Sequence, residues 1–109
     1  MYNYGKSLLL KYNFNFWGVV MNAILSVVGK DSVGILAGVA SKCAEYSANV
    51  VDVSQTVINE YFMMFMFINI DNLSIDFINF IDKMVEFGKE QNLEINVMHE
   101  DIFNLMHKI

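Results

Sequence analysis

The segment Tyr61–Ile68 restricts the fold of this chain more than any other stretch. In an extended strand successive side chains point to opposite faces. Both sets are apolar here: Phe62, Met64, Met66 and Ile68 on one face, and Met63, Phe65 and Phe67 on the other. A short run of this kind without a charge is typical of a strand covered on both sides. The segment therefore predicts a central strand, and the fold must be one that has such a position.

The remaining patterns supply the elements around that strand. Short apolar or alternating runs predict strands, and apolar residues at helical spacing predict helices. In chain order the pattern predicts a strand over Ala23–Val28, a helix over Val33–Tyr46, a strand over Asn49–Ile58, a strand over Tyr61–Ile68, a helix from Phe77 to Gly88, a strand over Leu93–Val97 and a short helix from Glu100 onward. In the second strand, Val51, Val53 and Val57 are predicted to share one face.

The strands Ala23–Val28 and Tyr61–Ile68 are both apolar on their two faces. One strand order places these two strands in the middle of the sheet. It is 4-1-3-2, the ferredoxin-like βαββαβ arrangement of the α+β class, with two helices on one face of a four-stranded antiparallel sheet and a short C-terminal helix. Asn59-Glu60 is a turn too short for a parallel crossover, and asparagine tolerates the left-handed conformation of such turns. Since the helices cover one face only, we expect the other to be buried in a symmetric dimer, by another partner or by the N-terminal residues.

Charge and composition exclude several classes of function. The 109 residues carry a net charge of −5, and all seven cationic side chains are lysines. Nucleic-acid sites need clustered cations, so we expect no nucleic-acid partner. The single cysteine excludes an intramolecular disulfide and any metal site built from several cysteines. We expect neither a metal nor a cofactor.

Residues 1–20 differ from the domain at 21–109 and form an N-terminal extension. No charge occurs from Tyr12 to Gly29, but several asparagines interrupt this stretch, so we expect no membrane segment. Its composition is also what AT-rich upstream DNA would encode. One hypothesis is therefore that Met21 is the biological start and that residues 1–20 are not part of the native protein. The intact mass of natively produced protein tests this.

Two short motifs resemble the ACT domain. The loop from Val27 to Ile35 reads Val-Val-Gly-Lys-Asp-Ser-Val-Gly-Ile, and the strand entry from Ala48 to Asp52 reads Ala-Asn-Val-Val-Asp. The chain is most similar to small stand-alone bacterial ACT proteins, and the resemblance covers Met21 to Ile109. It implies a regulatory module that binds amino acids or related molecules and usually pairs. The ligand would lie between the first strand–helix loop and the start of a neighbour's second strand.

Carried onto this sequence, the resemblance implies six ligand-binding residues: Gly29, Lys30, Asp31, Gly34, Ile35 and Asn49. Their chemistry suits an amino acid, because helix N–H groups bind a carboxylate and an amide both donates and accepts. Asp31 would take the α-ammonium. Structural roles remain open as well: Asp31 as a helix cap, Gly34 as a packing glycine, Asn49 as a turn residue and Lys30 as a solvated side chain.

No pattern indicates catalysis or a metal. Cys43 falls on a buried helical stripe, and His99 and His107 do not have the spacing of a helical zinc pair. We expect a cytoplasmic, non-catalytic regulatory module that senses an amino acid or related metabolite at the interface of a homodimer or higher homo-oligomer. The alternative is a protein–protein interaction or dimerisation module without a small ligand. A third hypothesis is a small enzyme, which the absence of a nucleophile–base pattern disfavours.

Overall fold

The computed structural model describes residues 21–30 and 33–106. The elements follow the predicted order: β1 Asn22–Gly29, α1 Ile35–Glu45, β2 Asn49–Ile58, β3 Tyr61–Asn69, α2 Phe77–Glu90, β4 Glu94–His99 and α3 Glu100–Met106. The predictions for residues 1–20, Asp31 and His107 concern positions outside the described ranges. Within those ranges, no helix has both the length and the hydropathy that crossing a bilayer requires.

The four strands form one antiparallel sheet in the order β2-β3-β1-β4. This is the predicted order 4-1-3-2 read from the opposite edge, so the α+β, ferredoxin-like prediction is confirmed. Tyr61–Ile68 lies within the central strand β3, as expected. The β2–β3 turn has Asn59 at φ 56°, the left-handed conformation predicted for it.

The strand β3 separates a buried face from an accessible one. Its residues Phe62, Met64, Met66 and Ile68 are at most 5% exposed. Phe65 and Phe67 point to the other side and keep 46% and 39% of their surface. The helices thus cover one face of the sheet, and the second apolar face of β3 still contacts solvent.

The core lies between the sheet and the two longer helices. Leu25 and Val27 of β1 pack there with Val39 of α1 and Phe80 of α2, all fully buried. Methionine is common in this core: Met21, Met64, Met66 and Met84 are each at most 3% exposed. Flexible thioether side chains fill irregular gaps that branched residues leave open.

The edge strand β2 departs from the predicted alternation. A β-bulge between Val50 and Asp52 takes Val51 out of the ladder, so Val51 does not share a face with Val53. Val51 is 61% exposed, and Val57 is 63% exposed at the far end of the strand. The predicted common face is therefore wrong for Val51, because the extra residue changes the alternation, whereas Val53 and Val57 lie on the same face as their partners Met66 and Phe62.

The helix α2 begins at a cap that sequence reasoning missed. Its N-cap is Asp76, whose Oδ1 accepts the backbone N–H of Asn79 at 2.8 Å. From the sequence alone, the polar residues of Asp71–Ser74 are predicted to form the loop and the cap, and they precede this position. Asp71 instead accepts the backbone N–H of Met21 through its own Oδ1 at 2.9 Å. It therefore fixes the point where the chain enters β1.

His99 has a structural role at the junction of β4 and α3. Its side chain is 2% exposed and lies edge-on to Phe77, with the ring centroids 6.1 Å apart. The backbone N–H of Asp101 donates to His99 Nδ1 at 3.0 Å. Since Nδ1 accepts this bond, a neutral ring carries its proton on Nε2. Among the described residues, no three His, Cys, Asp or Glu side chains come close enough to hold a metal ion.

We call the side of the sheet away from α1 and α2 the open face. Strand alternation and register place six residues at its centre: Ile24, Ser26 and Val28 of β1 and Met63, Phe65 and Phe67 of β3. None of these side chains is charged.

Replacing Leu25 by alanine tests the assignment of the buried face. Leu25 is fully buried, so Leu25→Ala is expected to lower the free energy of unfolding by about 2–5 kcal/mol. The matched change Ile78→Ala removes the same number of carbons from a side chain that is 64% exposed, and it is expected to stay within about 0.5 kcal/mol. Urea unfolding measures both. Equal losses would contradict the assigned register.

Candidate ligand-binding site

The five implied ligand-binding residues that the structure describes fall at two ends of the sheet. Gly29, at the end of β1, pairs with Phe62, whereas Asn49, at the start of β2, pairs with Asn69. Phe62 and Asn69 are seven positions apart on β3, which corresponds to about 23 Å along the strand. A single chain therefore does not bring the loop and Asn49 together. Asp31, the sixth residue, lies outside the described ranges.

Gly29 packs closely against Leu93, whose side-chain end would have to shift to admit a Cβ at this position. Gly29 is buried, and the added Cβ would lie 2.5 Å from Leu93 Cδ2. Leu93 precedes β4, so the absence of a side chain at Gly29 lets the loop pass close to the start of that strand.

Lys30 is exposed and lies over the tip of the β2–β3 hairpin. Its Nζ is 3.5 Å from Glu60 Oε2 and 5.8 Å from the centroid of the Tyr61 ring. Exposed ion pairs of this kind contribute little to stability. The contacts orient the ammonium at the end of the sheet where the loop emerges.

Gly34 is required by backbone conformation. It caps α1 with φ 75°, and a Cβ there would meet no atom within 4 Å. The packing role considered for it is therefore wrong. Its carbonyl accepts the N–H of Gly38 at 2.9 Å, which starts the helix. Ile35 follows with its side chain in the core at 7% exposure, so only its backbone can contribute to a polar site.

A small cavity of about 150 Å³ lies beside this helix start. It is lined by Gly34, Ile35 and Gly38 on one side and by Phe87, Gln91 and Leu93 on the other. A cavity of similar size in an engineered protein holds benzene, so a small metabolite side chain fits. Sequence reasoning missed Gly38, Phe87, Gln91 and Leu93. Only the placement of the end of α2 beside the start of α1 could have indicated them.

A polar network lies at the other end of the sheet, beside Asn49. Asn69 Nδ2 donates to Asn22 Oδ1 at 3.4 Å and to Asp71 Oδ2 at 3.2 Å. Asn49 is exposed at the head of β2, opposite Asn69. The left-handed residue after α1 is Ser47, with φ 63°. The turn role considered for Asn49 is therefore wrong, and its amide faces solvent from a regular strand.

Cys43 is buried on α1, and burial raises the pKa of its thiol to about 11. The thiol is therefore protonated near neutral pH, whereas the reactive form of cysteine is the thiolate. This agrees with a structural role in the core.

Comparison with known proteins finds relatives over most of the chain. A family model for the ACT domain matches residues 22–98. A UPF0237 protein of Listeria innocua is 44% identical over 89 residues, which is 82% of this chain and 100% of that protein. A UPF0237 protein of Methanocaldococcus jannaschii is 40% identical over 86 residues, or 79% of this chain and 96% of that protein.

The fold of this chain is also similar to that of a solved structure. The ACT domain protein from Streptococcus pneumoniae superposes with a TM-score of 0.70 at 42% identity. The match covers 78% of this chain and 96% of that one. The strand order and both longer helices thus belong to a fold found in a protein of closely similar sequence.

Gly34→Ala tests the conformational role of this glycine. With open space around its Cβ, the expected loss of about 1–2 kcal/mol comes from left-handed backbone strain alone. Asparagine tolerates this conformation, so Gly34→Asn should lose less. The control Gly38→Ala lies inside α1 with ordinary contacts and should gain about 0.5–1 kcal/mol. Chemical unfolding measures all three, and a neutral Gly34→Ala would argue against the assigned cap.

The raised thiol pKa predicts a specific alkaline loss of stability. The unfolded thiol ionises near its ordinary value of 9.0, whereas the folded thiol keeps its proton up to about 11. Stability contributed by this group is present below pH 9 and falls as the pH rises toward 11. Unfolding free energies measured across this range should decline more steeply for the wild type than for Cys43→Ala. Parallel profiles would show that Cys43 ionises normally.

Proposed function

The chain belongs to the ACT domain family, and we propose that it is a non-catalytic regulatory module that binds an amino acid or closely related metabolite between two copies of itself. The main support for this proposal is that the two groups of candidate residues are too far apart in one chain to contact the same small ligand. The loop after β1 and Asn49 lie about 23 Å apart along β3, at opposite ends of one sheet.

Two-fold pairing along β2 supports a shared site. β2 is an edge strand and therefore has one side free to pair. If two copies pair antiparallel along it, the Asn49 end of one strand meets the Ile58 end of the other. Ile58 pairs with Tyr61, next to the Phe62 that faces Gly29, so this is also the end where the loop emerges. Each dimer would then contain two such sites.

The chemistry of the two halves suits the two ends of an amino acid. The start of α1 offers backbone N–H groups without a capping side chain on Gly34, a suitable partner for a carboxylate. Asp31 suits the α-ammonium, and the amide of the neighbour's Asn49 can donate and accept. The cavity of about 150 Å³ beside Gly34 takes the metabolite's side chain.

Binding at such a site would couple ligand to assembly. A ligand that contacts both copies binds the dimer more tightly than the monomer. This difference in affinity shifts the monomer–dimer equilibrium toward the dimer. Regulation then follows from a change in pairing. The buried, protonated Cys43 supplies no nucleophile, which is consistent with a module that senses and does not react.

A screen of thermal stability against the amino acids and common metabolites tests the proposal. We expect one class of ligand to raise the melting temperature and to increase the proportion of dimer in a native mass measurement. Asp31→Ala and Asn49→Ala should each abolish the response. Asn96→Ala, which alters an exposed asparagine on the opposite edge strand β4, should leave it unchanged.

Mixing the two inactive variants distinguishes a shared site from a site within one chain. A dimer of one Asp31→Ala and one Asn49→Ala subunit has one intact site and one doubly altered site. Equimolar mixing with random exchange should therefore restore about a quarter of the ligand bound per chain in the wild type, and up to half if all dimers are mixed. No recovery would place both residues in the same subunit's site, and silence across the whole panel would favour an interaction module without a small ligand.

A further inference from the structure

The open face contains a groove that the metabolite site does not use. Its volume is about 430 Å³, and Ile24, Phe65 and Phe67 line it with Asp52 and Ser54. The volume lies within the range of specific binding sites, and the lining is mainly apolar. Exposed apolar surface of this kind is typical of a place where another segment packs.

Acidic residues on the open face favour an occupant that carries positive charge. Asp52 of β2 lines the groove, whereas register and alternation place Glu94 of β4 on the same face but at the opposite edge and toward the opposite end of the sheet. No lysine occupies an outward position on the four described strands. A segment that is apolar in the middle and carries positive charge is therefore complementary to this surface.

A second copy stacked face to face fits this surface poorly. The open face spans about 19 Å across four strands and about 26 Å along them, and it has a carboxylate at each of its two edges. Stacking would confine four carboxylates, Asp52 and Glu94 of each copy, at the rim of one contact.

We propose that in the full 109-residue chain residues 1–20 cover the open face of the same molecule. This segment contains Lys6 and Lys11 and no acidic residue. Its apolar side chains occur in two groups, Leu8–Leu10 and Phe14–Trp17. The apolar groups of the segment are thus complementary to the groove, and its two lysines are complementary in charge to Asp52 and Glu94.

The tether brings the segment within reach. Met21 is fixed at the start of β1, where its N–H donates to Asp71 and its carbonyl accepts the N–H of Ile70 at 2.9 Å. Three residues, Gly18 to Val20, separate Trp17 from Met21; extended, they allow about 14 Å between the two Cα atoms. Ile24 lies about 10 Å from Met21 along β1. Trp17 can therefore reach the groove, and a short tether gives a high effective concentration.

Trp17 is the only tryptophan in the chain, and its fluorescence reports the contact directly. In the full 109-residue chain we expect blue-shifted emission and several-fold protection from acrylamide quenching relative to free tryptophan. Phe65→Ser with Phe67→Ser should shift the emission to the red and remove the protection. The matched control, Ile78→Ser with Leu105→Ser, changes two exposed apolar side chains on the helices and should leave Trp17 unchanged.

A second experiment changes only residues 1–20 and leaves the sequence of the folded domain unaltered. Lys6→Glu with Lys11→Glu reverses the charge of the segment alone and should raise quenching several-fold, as should high salt. The proposal is overturned if Trp17 of the full chain is quenched as readily as free tryptophan. It is also overturned if protection survives both sets of changes, or if protection falls on dilution, because the segment would then bind another copy. None of these outcomes depends on the metabolite site.

Discussion

The central position of β3 is the constraint on which the rest of the structure depends. A strand with apolar side chains on both faces gains stability only if both faces leave water. The helices α1 and α2 cover the face of Met64 and Met66, and this fixes the strand order and the core. The face of Phe65 and Phe67 remains partly exposed, so the same strand that organises the fold also creates a surface that needs a partner.

Most of the architecture could be predicted because it depends on side-chain periodicity. Tyr61–Ile68 indicated the central strand, and the left-handed turn at Asn59 followed from the chemistry of asparagine. The bulge at Val51 could not be predicted, because an inserted residue leaves the local composition unchanged. The cap of α2 was placed too early, since several polar residues before the helix offer the same oxygen atoms and only packing selects Asp76.

The candidate site was less predictable than the fold. The motif resemblance indicated Gly29 and Gly34, but the two glycines have different roles: one avoids Leu93, and the other adopts a left-handed conformation. The side chains of Phe87 and Gln91 approach Gly34 only through the placement of α2, which no local pattern encodes. The distance between Gly29 and Asn49 likewise follows from strand register and not from sequence spacing.

The methionine-rich core makes the protein sensitive to oxidation whenever the domain opens. Met64, Met66 and Met84 are fully buried, so a peroxide in solvent reaches their sulfur atoms only when the domain opens. The sulfoxide formed is polar and cannot repack among apolar neighbours. Oxidation during such an opening therefore leaves a lesion that persists until a reductase repairs it. The adaptable side chains that make this core easy to fill also make its integrity depend on cellular redox maintenance.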